Sequence, residues 1–584
     1  MSSAVLSRAF LRSRCICTPV SRCVSNSRAL AAASSSTGSS NSRDERLFSP
    51  LVYVAGGLAV TVAGGIKYMH DHVGGTEGLA RTMSFYSIAI PKYLEYRLHM
   101  FRESPDEVWD ELDRETSKKG LDKILELRGF YIKSGQLAAA NIGNAFPPIW
   151  QDTMSVLQDE CPAEDFAVVR RTVETEFGKP LEEIFSSFDE KPIGAASIGQ
   201  VHRATLLDGS DVVVKVMYES VEKLFRGDVR TIKMFAKVAQ PVHVPPLEEI
   251  EKQFMTEFDY IKEGEQLKRV RDNLTRAGLA GDESKLCAVP KPYLDLCTKR
   301  VLVMEELKGE KLANALKTDM EKHAARAGET VQQFKAKQEE KVRELRKKGE
   351  VKLGPSATEY GKYVRLLEGE RKLANAGTIA YNYTVGWLPG MEWKECVDRN
   401  SIPLINHAKL VDDLIYLHGW EVLVDGYFNG DPHPGNVLLI PRKKGEPQLG
   451  LIDYGQVKAL RKEDRLLMCK IIIALADENK SEVIRLMKEA GYKSQNMNDD
   501  VIFLYAKVSY DEDNDDLTGG KHIQLFMEDL QAQDPIEALP KDFIMVGRIS
   551  VMLRGLGHAL HQPRSVAKAW KPIAESVLKN EGLL

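Results

Sequence analysis

The sequence predicts an α+β protein of two lobes, short strands first and a mostly helical part after them. Three observations carry this reading. VHRATL, a turn at Gly209 and DVVVKVM read as two strands of a hairpin. KRVLVMEEL, from Lys299 to Leu307, reads as a further strand leading into Gly309. From Lys462 to the C-terminus helical patterning dominates, broken by DEDNDDLTGG at Asp511 to Gly520. The 584 residues suffice for two to four domains, and 43% hydrophobic with 28% charged residues is a globular composition. A formal net charge of −4 gives no case for nucleic acid as a partner.

Elements follow in chain order. Met1 to Arg43 contains no Asp, Glu or Lys, while Arg8, Arg12, Arg14, Arg22, Arg28 and Arg43 are spread among Ser, Ala and small apolar residues. That composition is a transit peptide's, so residues 1–45 are expected to be a mitochondrial targeting segment, with a plastid address or an unaddressed tail as alternatives. Residues 46–70 are expected to cross a membrane. Leu51 to Ile66 is uncharged, Tyr53 and Tyr68 suit the interfaces, and Gly56, Gly57, Gly64 and Gly65 suit close packing in lipid. The alternative is a Gly-rich linker. Together the two segments predict the mitochondrial inner membrane.

A helical extension is expected over 85–190. Pro147-Pro148 interrupts it, and Ala163 to Phe188 continues it as a helical stretch with acids and bases alternating. The first lobe spans 191–310, with Val244 to Asn273 mostly helical. The second spans 311–480, and helices fill 481–584. Within the second lobe, residues 315–372 are strongly charged and almost free of large apolar side chains. They read as a solvated helix supported by acid–base pairs. Of the eight cysteines, Cys15, Cys17 and Cys23 lie in the targeting segment. The other five have no paired metal-ligand spacing, so neither a disulfide framework nor a zinc site is expected.

The chemistry-bearing residues form an ordered series. Gly194, Ala195, Ala196, Ser197 and Gly199 make a loop of small residues that can approach a ligand closely. Lys215 sits among valines in a strand, where a lysine is costly unless paired. It fits either the exposed face of an edge strand or a phosphate contact. Glu257 and Glu263 follow on a predicted helix, and either could pair with it. GDPHPGN supplies Asp431 and Asn436 on a loop that two prolines and two glycines keep out of helix and strand. LIDYG supplies Asp453 after an apolar strand. Phosphoryl transfer needs a lysine on the phosphates, a carboxylate near the acceptor hydroxyl and oxygen ligands for the metal on ATP, and these residues occur in that order.

The chain resembles the UbiB family of atypical kinases, which includes the mitochondrial coenzyme-Q-supporting kinases. Lys133-Ser-Gly-Gln136 resembles the family's KxGQ motif, Gly194-Ala-Ala-Ser197 its alanine-rich nucleotide loop, and Glu257-Phe-Asp259 its ExD motif. Asp431 to Asn436 resembles its catalytic loop, and VGRISVMLRGLGHAL is a C-terminal echo. The resemblance implies a bilobal protein-kinase-like fold with an added N-terminal helical segment that packs over the site. It implies ATP and Mg2+ as cofactors. Lys215 would contact the phosphates and Glu263 would be its ion-pair partner. Asp431 would be the catalytic base, and Asn436 and Asp453 the magnesium ligands. Met304, Glu305 and Leu307 would form the adenine-binding hinge. Glu257 and Asp259 would meet Lys133 and Gln136 in a regulatory contact.

The implied function is an atypical kinase or ATPase of mitochondrial lipid or ubiquinone metabolism. The phosphoryl group would pass to water, to a small lipid-like acceptor or to protein, with ubiquinone-pathway proteins and a membrane as partners. The alternative is a nucleotide-binding scaffold. The sequence departs from the family pattern in four places. Asn429-Gly430 replace a His-Ala pair whose histidine braces the catalytic loop. Gly194 replaces an alanine, Tyr454 puts a hydroxyl at an apolar position, and the insertion after the hinge is long.

Overall fold

The computed structural model describes residues 75–584, apart from 103, 141–147, 159–162, 220, 240–243, 283, 348–354, 389, 400–404, 443–445, 520–522 and 540. The targeting segment 1–45 and the apolar segment 46–70 lie outside the described residues. Among the described residues no helix is long and apolar enough to cross a membrane.

In chain order the first helices are α1 (Gly75–Phe101), α2 (Asp106–Leu127), α3 (Phe130–Ala140), α4 (Pro148–Met154) and α5 (Phe166–Phe177). Strands β1 (Phe185–Phe188), β2 (Gly194–Ala195), β3 (Gly199–Leu206) and β4 (Asp211–Met217) follow. Next come α6 (Val221–Ala239), α7 (Val244–Met255), α8 (Tyr260–Arg276), β5 (Cys287–Ala288), β6 (Val301–Glu305) and β7 (Glu310–Lys311). The insertion holds α9 (Leu312–Ala327), α10 (Val331–Lys347) and α11 (Ala357–Thr384). After it come α12 (His407–Trp420), β8 (Tyr427–Asn429), β9 (Val437–Ile440), β10 (Gln448–Leu451), β11 (Val457–Ala459) and α13 (Lys462–Ala476). The later helices that bear on the site are α14 (Lys541–Ala559) and α15 (Val566–Asn580).

The described residues divide into two compact units: those within 75–162, 196–198 and 220–251 form one, and the rest form the other. In the first unit the helices bury Met154 and Leu157 against Leu121, Ile124, Leu125 and Trp150. Arg81 Nε donates to Asp228 Oδ1 at 3.0 Å, tying α1 to α6. Arg128 and Gly129 both have positive φ, and this break ends α2 and redirects the chain into α3.

In the second unit the strands run β1-β3-β4-β6, with β2 on β3. Val212, Val214 and Val216 point to one side of β4 and pack with Val169 and Val173 of α5 and Val301 and Val303 of β6. Each such valine contributes roughly 1.5–3 kcal/mol. Lys215 therefore faces the other way, and β4 is an interior strand, which removes the edge-strand reading. The helical reading of 163–188 holds only for α5. The chain after Gly178, a left-handed C-cap, becomes β1 and pairs with β3.

Two further expectations are corrected. The charged insertion is three helices rather than one. Gly328, at φ 70°, ends α9, and a Ser356–Glu359 capping box starts α11. It is also not wholly solvated, since Ala315, Asp319, Ala324 and Leu367 are buried. The stretch 244–273 breaks at Asp259, whose carboxylate accepts from Lys262 N at 3.2 Å and so caps α8. The helical end of this unit packs α13 and α12 on α15, where Trp570 is fully buried and its Nε1 donates to Ile415 O at 2.7 Å. Among the described residues Cys287, Cys297, Cys396 and Cys469 are free thiols.

Candidate active site

Two antiparallel pairings build the loop that carries the acids. In the first, β9 and β10 put Val437 opposite Leu451, and Ile452 N donates to Asn436 O at 3.2 Å. Asn436, just before β9, thus stands beside the segment leading into Asp453, just after β10. In the second, β8 and β11 put Asn429 opposite Val457, and Gly430 N donates to Gln456 O at 2.8 Å. GDPHPGN is held at both ends by strands, and its interior is held by turns. His433 N donates to Asp431 O and Asn436 N to His433 O, both at 2.8 Å. Asp431 and Asn436 are partly exposed.

Lys215 is paired across the sheet with Val201 on one side and Leu302 on the other. Its Nζ donates to Glu263 Oε1 at 2.6 Å and lies 5.0 Å from the centroid of the Tyr260 ring. Glu263 is 5% exposed. Burial pulls the Lys215 ammonium down, but the Glu263 and Asp453 carboxylates outweigh it and hold it well above the ordinary lysine range. Burial lifts Glu263 to about 6 against the pull of Lys215. Lysine, glutamate and Asp453 therefore form one electrostatic cluster. Of the two acids that could pair with Lys215, the structure selects Glu263. Glu257 lies one turn earlier, before the break at Asp259, and accepts instead from Gln456 Nε2 at 2.8 Å.

The other expected residues are placed as follows. Gly194 and Ala195 form β2, opposite Val201 and Gln200 of β3, while Ala196 and Ser197 follow it and Ser197 is buried. Met304 and Glu305 end β6, opposite Val213 and Val212 of β4, and Leu307 follows with its carbonyl accepting from Gly309 N at 3.0 Å. A groove of about 600 Å³ beside this hinge is lined by Glu306, Leu307, Gly309 and Leu439, and Lys215 is not part of its lining. Lys133 and Gln136 lie on α3 in the first unit, where Gln136 Nε2 donates to Leu157 O at 2.8 Å. Asp259 serves as the α8 cap.

The expected loss of a brace at Asn429 is not what the fold shows. Asn429 Nδ2 donates to Asp453 O at 2.8 Å, and Asn429 Oδ1 accepts from Asp431 N at 2.9 Å. One amide side chain ties both acids' backbones. Gly430 beside it sits tightly: an added Cβ would stand 3.0 Å from Gln456 O and 2.8 Å from the movable Met545 Cε, so small shifts would have to make room.

Three residues had no sequence signal. Glu421, 1% exposed, accepts from the Tyr454 hydroxyl at 2.9 Å, and burial raises its carboxyl to about 8. The hydroxyl that looked out of place on Tyr454 is thus satisfied. Arg548 on α14 comes within 3.6 Å of Asp431 Oδ1. Among the described residues the Tyr260 hydroxyl is buried with no hydrogen-bond partner, near Gly199, and its ring lies beside Lys215. Gly199 is required there, since a Cβ would lie 2.5 Å from Val216 O.

The donor set fits ATP and magnesium. Asn436 and Asp453 offer hard oxygens from adjoining segments, Lys215 offers a fixed cation, and an unpaired hydroxyl faces the same cluster. Asp453 Oδ1 already accepts from Gly455 N at 2.9 Å, which orients the carboxylate.

The chain matches the family described as the ABC1 atypical kinase-like domain over residues 156–340 and 381–487. It is 24% identical over 395 residues to AarF domain-containing protein kinase 1 of Xenopus laevis, covering 65% of this chain and 58% of that protein. It is 23% identical to a probable protein kinase UbiB of Sodalis glossinidius, covering 78% and 70%. It is 35% identical to ACTIVITY OF BC1 COMPLEX KINASE 7, chloroplastic, of Arabidopsis thaliana, over 34% and 29%. The match thus spans from 29% to 70% of these relatives' lengths. The two matched blocks make up half of the chain and hold the whole Lys215–Asp453 cluster, and the chain belongs to the ABC1 atypical kinase-like family.

Proposed function

We propose that this protein binds Mg-ATP and transfers its γ-phosphoryl group to water or to a small lipid-like acceptor, with protein as a less favoured acceptor. The carrying observation is the convergence of the Lys215–Glu263 ion pair and Asp453, with Asn436 beside the segment that leads into Asp453. Lys215 would hold the α- and β-phosphates. Glu263 keeps that lysine straight and charged. Asn436 and Asp453 would hold magnesium, which when bound draws charge off the phosphates. Asp431 would accept the proton of the acceptor hydroxyl. The hinge at Met304, Glu305 and Leu307 would take adenine, and the loop Gly194–Ser197 would cover the phosphates.

The relatives named protein kinase and UbiB support the reaction class and a setting in ubiquinone metabolism. The Arg-rich N-terminus supports the mitochondrial inner membrane, with lipids or ubiquinone-pathway proteins as partners. Lys133 and Gln136, with Glu257 and Asp259, would have a regulatory role. The test is phosphate release by the purified full chain with ATP and magnesium. Asp453→Asn should abolish release, and equal release by wild type and variant would overturn the assignment.

A second reading has its own observation. Arg548 stands 3.6 Å from the acid assigned as base, which suits a nucleotide-binding scaffold that turns over little. In that case ATP and magnesium would raise the melting temperature without phosphate release.

A further inference from the structure

The insertion carries a second cluster, separate from the Lys215–Asp453 site. Asp319 and His323 are four apart on α9 and therefore share a face. His407 opens α12, placed there by the Asn406 cap, whose Oδ1 accepts from Lys409 N at 3.0 Å. Both histidines aim Nε2 at one atom, Asp319 Oδ2: His407 at 2.9 Å and His323 at 3.5 Å. The three ligand atoms all lie within 4.8 Å of one another. A zinc-class ion with bonds of about 2.0–2.2 Å spaces tetrahedral ligand atoms roughly 3.3 Å apart, which these positions reach with small shifts.

Two surrounding facts favour an ion over a simple hydrogen-bonded knot. The Asp319 side chain is 2% exposed, and its ion-pair partners among the described residues are these two histidines, with no Lys or Arg. A buried carboxylate oxygen facing two imidazole nitrogens is a donor set that a divalent ion can complete. The second fact is that His407 Nδ1 lies 3.2 Å from the Tyr360 hydroxyl. Metal-bound histidines are oriented this way by an outer partner on the other ring nitrogen, which frees Nε2 to coordinate.

We propose that Asp319, His323 and His407 bind one divalent transition ion of the zinc class, with solvent as the fourth ligand. The two histidine side chains are 17% and 13% exposed, which leaves that fourth position reachable. The ion joins α9, which follows the hinge, to α12, which leads toward the catalytic loop. It closes the long excursion of α10 and α11 at its base and lowers the entropy of that loop when unfolded. Tyr360 on α11 and Phe334 on α10, whose ring lies parallel to His323 at 6.2 Å, bring the other two inserted helices to the same point. Nitrogen and carboxylate donors in this ratio suit zinc better than magnesium, so the site does not duplicate the oxygen site at Asn436 and Asp453.

The test uses the purified full chain, stripped with a chelator and titrated with Co2+, whose visible absorption is intense only in tetrahedral sites. One Co2+ per chain should bind with that absorption, and Zn2+ should displace it. His323→Gln, on a partly exposed helix face, should weaken binding at least tenfold while circular dichroism stays unchanged. Tyr360→Phe should weaken it about tenfold through the lost outer partner. Asp453→Asn should leave it unaltered. Absent tetrahedral absorption, binding unchanged in His323→Gln, or binding lost in Asp453→Asn would each overturn the proposal.

Discussion

Asn429 Nδ2 donates to the backbone carbonyl of Asp453 at 2.8 Å, while its Oδ1 accepts from the Asp431 amide at 2.9 Å. A single short side chain holds the acid assigned to the acceptor and the acid assigned to the metal. An amide can do this because it offers a donor and an acceptor from one planar group. The residue that departs from the family's brace takes over the brace.

Asn429→Ala should therefore reduce phosphate release at least tenfold. It removes one hydrogen bond from the Asp453 carbonyl and one from the Asp431 amide, and a lost partner costs about 1–3 kcal/mol where the group is buried. Asn429→His restores a donor but not the acceptor geometry and should recover part of the loss. Steady-state ATP hydrolysis with magnesium measures both.

Glu263→Gln removes the charge that faces Lys215. Losing one member of a buried pair costs about 3–5 kcal/mol, so the variant should melt several degrees lower. It should also show a smaller thermal shift with Mg-ATP, because the lysine is no longer held straight. Differential scanning fluorimetry with and without nucleotide checks both. An unchanged nucleotide shift would count against the role of Lys215.

Glu421 supplies a pH dependence with a definite sign. Burial raises its carboxyl to about 8 from an ordinary 4.5. Because the folded state holds this proton more tightly, its contribution is full below pH 4.5 and is lost as pH rises through about 8. Each unit of separation is worth about 1.4 kcal/mol. Glu421→Gln mimics the protonated acid, so it should match wild type near pH 5 and be the more stable near pH 9. Urea melts at the two pH values decide it. A gap that shrinks with rising pH would mean the carboxyl is ionised in the fold.

Arg548 and Asp431 are each only partly buried, so their 3.6 Å contact adds at most about 1 kcal/mol of stability. Arg548→Ala should leave the melting point within a degree or two. Phosphate release should rise if the guanidinium restrains Asp431, and fall if it serves the acceptor instead. The direction of change separates the enzyme from the scaffold reading.

Much of the site was legible from local pattern. The β3–β4 hairpin, the Lys215 strand, the β9–β10 hairpin and the GDPHPGN loop all follow from alternation and turn residues. The misreadings share a cause. Residues 163–188 carry helix-like charge spacing, but after Gly178 the apolar residues Phe185 and Phe188 pack as strand in the first-lobe core. The insertion looked fully solvated because its buried positions among the described residues are two alanines, a glycine, one leucine and an aspartate, which composition does not count as core.

The sequence by itself determined which residue types stand in which order, and with them the family and the hairpins that set Asn436 beside Asp453's segment. Those relations are short-range and repeat every two to four residues. Only the tertiary structure decided among partners far apart in the chain. It chose Glu263 over Glu257 for Lys215, 48 residues away, because the break at Asp259 starts a new helix whose first turn faces β4. It put Glu421 under Tyr454, and it brought His407 to Asp319 across 88 residues. No periodicity encodes such pairs, because packing and desolvation select them.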